Sequence, residues 1–196
     1  IKDANPDLRI TGLRAAREIK SDVTGVIKAL VNDKDPHVRR ECALALHHNK
    51  APEAASLWVA LAKQYDGKDR WYLEALGISS DPNPDLYFDA WLKKVGKEWN
   101  KPANRDIVWR TRSKAAMPLL AQLISSADEE EMLRYFRAFD FHTDPSKQKV
   151  LTALITSSED SKLLYALKHI DAEGYRITPT VRTKLNSVLE KNKGQL

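Results

Sequence analysis

The chain has 196 residues, of which 42% are hydrophobic, a formal net charge of +5 and a sequence pI near 9.2. This is ample apolar material for one continuous core. A single cysteine, Cys42, excludes a disulfide framework and any cysteine-based zinc or haem-attachment motif within the chain. No run of about 18 apolar residues occurs, so membrane insertion is not expected.

The apolar residues recur with helical period and no strand is expected. Asn5 caps a first helix, with Pro6 at the position that needs no amide proton, and the helix is expected to reach about Ile19. Ser21-Asp22 starts a second, with Val23, Ile27 and Leu30 inward. Asp33-Lys34-Asp35-Pro36-His37-Val38-Arg39 then opens a third with the same grammar as the first: Asn5-Pro6-Asp7-Leu8-Arg9 aligns with Asp35-Pro36-His37-Val38-Arg39, thirty positions on. Asn49–Pro52 ends that helix, and Ala54, Leu57, Trp58 and Leu61 stripe a fourth. Asp69 starts a fifth, in a looser third copy of the turn, Gly67-Lys68-Asp69-Arg70-Trp71. Gly77 and the Asp81–Pro84 segment are expected to close it. Tyr87, Phe88 and Trp91 line a sixth.

Asn100–Asn104 is the most loop-like interruption, and it suggests sub-arrays at 1–99 and 104–196 within one domain spanning 1–196. A helix from Asn104 or Arg105 is expected to end near Met117, where Pro118 forces a kink or restart. Asp128–Glu131 is acidic at a helix start, as the macrodipole favours, and Met132, Phe136 and Phe139 follow at helical spacing. Asp144-Pro145 repeats the turn without its Arg. Helices over roughly 145–156 and 160–170, then a last one carrying Val181, Leu185, Val188 and Leu189 before a polar tail, complete about a dozen.

Self-similarity at this period, one helix pair per unit, predicts an all-α fold: an α-α superhelix of the HEAT/armadillo-like solenoid type with five or six helix pairs. The Asp-x-Asp-Pro-x-Val-Arg turn resembles HEAT repeats, and that resemblance implies that Arg9, Asp33, Asp35 and Arg39 link neighbouring repeats through polar contacts. Gly67–Ile78, Arg105–Arg110 and Arg134–His142 also resemble the HEAT-repeat segment of large exported bacterial proteins. Those proteins carry a sorbosone/glucose-dehydrogenase-like β-propeller before the repeats and often a c-type cytochrome domain after them. The resemblance implies a periplasmic or cell-envelope parent protein, with any catalysis in domains other than this one. The chain opens without Met or a signal segment and its first repeat starts at once, so it reads as a piece of such a protein.

No Gly-rich phosphate loop, nucleophile elbow or H-E-x-x-H motif is present, and no catalytic, cofactor or metal residue is assigned. His47-His48 is the best metal candidate, but adjacent helical residues point about 100° apart and do not easily share one ion. Lys101, Arg105, Arg110, Arg112 and Lys114 face only Asp106 in their stretch. Trp109, Arg110, Arg112 and Asp106 form the one cluster that imitates a basic HEAT-like nucleic-acid-binding module or DNA glycosylase. Interleaved acidic groups elsewhere make that the lesser reading, and the expected role is a non-enzymatic, monomeric scaffold without a cofactor. Its expected partners are neighbouring domains of the same polypeptide or another protein. Trp71, Arg134 and Tyr135 are the expected contact surface, because aromatic residues with Arg are enriched at such interfaces.

Overall fold

A computed structural model describes residues 1–19, 22–157 and 160–193. Among these the chain is entirely helical: α1 (Pro6–Ile19), α2 (Thr24–Leu30), α3 (Pro36–Ala45), α4 (Ala54–Ala62), α5 (Arg70–Ser80), α6 (Pro84–Val95), α7 (Pro102–Arg110), α8 (Ala116–Ser126), α9 (Glu129–Phe139), α10 (Ser146–Ser157), α11 (Asp160–Ala172) and α12 (Pro179–Lys191), with a 3-10 turn at Gly96–Asn100. The expected start of the second helix at Ser21 and the end of the polar tail lie outside the described residues.

Two compact units are formed, Ile1–Ser113 and Lys114–Leu196. In the first, α1, α3, α5 and α7 pack successively in one layer while α2, α4 and α6 do so in the other. In the second, α8, α10 and α12 make one layer and α9 and α11 the other. This alternation of helix pairs is the α-solenoid class. The division falls at 113/114 rather than at Asn100–Asn104. There the 3-10 turn and α7 continue the first stack, with α7 seated on α5.

The helix starts follow from the turn residues. The Asn5, Asp35, Asp69 and Asp144 side chains each accept from the amide two residues on, at 2.8–2.9 Å, and Asp128 accepts from the Glu131 amide. The expected helix from residue 104 to 117 is not continuous. It ends at Arg110, the chain is extended at Thr111, and α8 begins at Ala116. Pro118 therefore sits in the first turn of α8, where its missing amide proton costs no intrahelical bond. Gly77 was expected to stop α5, yet it lies inside that helix, for a reason given below.

The core of the first unit is built from Leu13, Ile27, Val38, Leu46, Trp58, Leu61, Tyr72, Leu76, Phe88 and Trp91, all almost fully buried. Phe136 and Phe139 are buried in the second unit, while Phe141, just past the end of α9, is 47% exposed.

Candidate functional site

The turns that open α1 and α3 carry one repeated arrangement. The Arg9 Nη1 donates back to the carbonyls of Asp3 and Ala4 at 2.8 and 2.9 Å, six and five residues upstream. Arg39 Nη1 makes the same two bonds, to Asp33 and Lys34, at 2.6 and 3.2 Å. The remaining donors of Arg9 reach forward: Nε and Nη2 grip both carboxylate oxygens of Asp33 at 2.7 Å, with both side chains almost fully buried. Such a bidentate pair is stronger and more directional than a single contact. These bonds hold the Asp33 carboxyl below the usual carboxylate range, against the opposing pull of burial. Asp35 is the N-cap of α3.

The forward link stops one repeat later. Gly67 stands where Asp3 and Asp33 stand, so no carboxylate awaits Arg39. The Arg39 guanidinium instead lies over the buried Tyr72 ring at 5.9 Å, and its Nε is buried without a hydrogen-bond partner among the described residues. A second link between α1 and α3 was not legible in the sequence. Glu41, only 5% exposed, accepts from Arg14 at 2.8 Å and Arg17 at 3.4 Å.

Between α5 and α7 the chemistry changes. The Arg110 guanidinium is laid directly against Gly77, where a Cβ would occupy its space. It donates to Glu74 Oε2 at 2.8 Å and, at 3.4 Å, to both oxygens of Asp81. Gly77 is thus a close-approach glycine and not a helix stop. Two members of the basic stretch are engaged in the fold: Arg110 is buried, and Asp106 Oδ2 accepts from the Tyr65 hydroxyl at 3.0 Å, while Lys101 and Lys114 are exposed.

His47 lies just beyond α3 and its Nδ1 contacts the Ile78 carbonyl at 2.8 Å, while His48 has a left-handed backbone, φ 62°. No group of three or more metal-ligating side chains is present among the described residues. The Cys42 thiol is fully buried and burial pushes its pKa up to about 12, which suppresses thiolate chemistry.

The expected contact residues divide. Trp71 is 69% exposed on the first turn of α5, at the repeat position that Asp7 and His37 fill in α1 and α3. Ile78, 41% exposed, continues the same face of α5 two turns on, and Arg40 borders it through a 3.9 Å pair with Asp69. Arg134 is exposed on α9. Tyr135 is not a surface residue: it is 1% exposed. The apolar face of α9 is wide enough to take Tyr135 together with Met132, Phe136 and Phe139, because the helix packs on both α8 and α11.

Residues 1–77 match the family model described as HEAT repeats. No curated protein and no solved structure matches the chain. No helix among the described residues is long and apolar enough to cross a membrane.

Proposed function

We propose that this chain is a non-enzymatic HEAT-like scaffold that presents the α5 face around Trp71 to a protein partner. The observation that carries the reading is the exposed indole at a repeat position otherwise polar, with Ile78 beside it and Arg40 and Arg70 at its edge. Large aromatics flanked by arginines anchor protein interfaces. The buried ion pairs of Arg9 and Arg110 support the same reading, since they engage the chain's most chemically suggestive side chains in holding helices together. We further propose, from the resemblance of its sequence, that the partner is a neighbouring domain of a larger exported bacterial protein of the dehydrogenase type, and that α9 contributes Arg134 to a contact of its own.

The test joins the segment to the neighbouring domain encoded in its reading frame and compares domain association with and without Trp71→Ala. Weakened association with an unchanged melting temperature is expected. Unchanged association would remove Trp71 from the interface, and excision of alkylated bases abolished by Asp106→Asn would replace the scaffold by an enzyme.

A further inference from the structure

The second unit contains an apolar groove that neither the repeat turns nor the Trp71 face involves. It has a volume of about 580 Å³ and runs along α11 into the loop that follows, with Leu164, Leu167, Tyr175 and Ile177 as its apolar lining. Leu164 is 59% exposed and Ile177 41% exposed. Leu164, Leu167, Lys168 and Asp171 recur at i, i+3, i+4 and i+7 on one side of α11 and all line the groove.

The stacking rule of the fold indicates what belongs there. In the first unit α4 lies between α2 and α6 in its layer, and its sequence Ala-Ala-Ser-Leu-Trp-Val-Ala-Leu-Ala is apolar on both sides. In the second unit α11 is the counterpart. One side meets α9, where Phe136 packs on Tyr165 and stacks on His169 at 5.6 Å. Leu163, Ala166 and Ile170 are buried in the unit. The side bearing Leu164 and Leu167 is mixed, with Lys168 and Asp171 on it, and no helix among the described residues covers it. Exposed leucines beside charged groups on one helix side match the apolar stripe and polar flanks of an amphipathic helix.

The surroundings set the charge of what covers it. Ile177 is shared with an adjoining concavity of about 700 Å³ that also takes in Arg176 and Arg182. Both arginines are exposed, and neither forms an ion pair among the described residues.

We infer that this groove binds an amphipathic helix of another polypeptide segment, continuing the α9–α11 layer, with its apolar stripe on Leu164, Leu167 and Ile177 and carboxylates at its edge facing Arg176 and Arg182. The helix enters as the next member of the layer, so its anchors recur at i, i+3 or i+4, and i+7. The inference shares with the scaffold reading only that a protein is bound, and it concerns a different unit.

The probe is a fluorescein-labelled 16-residue helical peptide with Leu at those spacings and Glu flanking the stripe. It is titrated into the whole chain by anisotropy, beside a Lys-flanked version and a scrambled one. The Glu-flanked helix is expected to bind with micromolar affinity, at least ten-fold tighter than either control. Leu164→Glu, at an exposed position, should reduce binding at least ten-fold without changing the melting temperature. The double change Arg176→Glu with Arg182→Glu should shift preference to the Lys-flanked helix. Absent binding, equal binding of the scrambled peptide, or insensitivity to Leu164→Glu would overturn the inference. So would concentration-dependent dimerisation abolished by Leu164→Glu, which would assign the groove to a second copy. Trp71→Ala should leave peptide binding intact, so failure here and failure of the Trp71 surface are separately visible.

Discussion

Replacing Gly77 by Ala should reverse the sign that this substitution ordinarily has within a helix. An interior Gly→Ala change gains about 0.8–1 kcal/mol from propensity alone. At Gly77 the new methyl would lie where the Arg110 guanidinium now lies. That group must withdraw from Glu74 at 2.8 Å and from the two longer contacts to Asp81. A charged hydrogen bond at a buried cation is worth about 1.5–3 kcal/mol. The carboxylates are partly in water, with side-chain exposures of 27% and 37%, which discounts the longer contacts. A loss of about 2–3 kcal/mol against a gain of about 1 leaves a net destabilisation of about 1–2 kcal/mol. Urea unfolding followed by circular dichroism reads that directly, and a thermal scan should fall by about 2–8 °C. In an Arg110→Ala background the same change should instead stabilise by about 1 kcal/mol, because the obstruction has gone. A Gly77→Ala protein more stable than the parent, or additive effects in the double mutant, would refute the account.

Phe139→Ala should cost about 3–5 kcal/mol in urea unfolding, since the ring is fully buried, whereas Phe141→Ala, at a half-exposed position, should cost well under half of that. Stability should also fall on acidification, through His169. Burial is the largest influence on its imidazole and lowers its pKa, while Asp140 at 3.4 Å and Glu173 oppose and Lys147 adds to the shift. A folded pKa below the unfolded value of about 6.5 means that the unfolded chain binds the extra proton first. The neutral-form contribution is therefore complete above that value and lost as pH falls below it. Melting temperature measured from pH 8 to 5 should decline less in His169→Phe than in the parent, and parallel curves would exclude this residue.

Much of the first unit is legible in its letters. Asn5, Asp35 and Asp69 are caps whose consequence is local, so the first, third and fifth helices can be placed from sequence. Arg9 and Arg39 share their bonds back to the turn because that turn is written twice. The expected link to the next repeat is made by Arg9 and not by Arg39, which meets Gly67 in place of Asp33. Arg110 and Gly77 were misread for a physical reason. Their meaning lies in a contact between residues 33 positions apart, and no local pattern distinguishes a glycine that ends a helix from one that admits a guanidinium. Tyr135 was misplaced by assuming an ordinary apolar arc, when α9 is covered from two directions. Pro118 is compatible with a kink or a first turn, and only the extended backbone at Thr111 decides between them.

The forward reach of Arg9 to Asp33, and its end at Gly67, give the first stack a polarity of growth. A thirty-residue cassette copied from residues 3–32 and spliced ahead of Asp3 brings its own arginine within reach of the Asp3 carboxylate, so each insertion carries the coupling it needs. The same holds for a copy of 33–66 placed before Gly67, whose last arginine simply inherits the Tyr72 ring. Beyond Gly67 an inserted copy would displace the Arg110 seat on α5 instead of extending a ladder. Length is therefore adjustable upstream in whole repeats, while the turn at Gly67 acts as a fixed terminus.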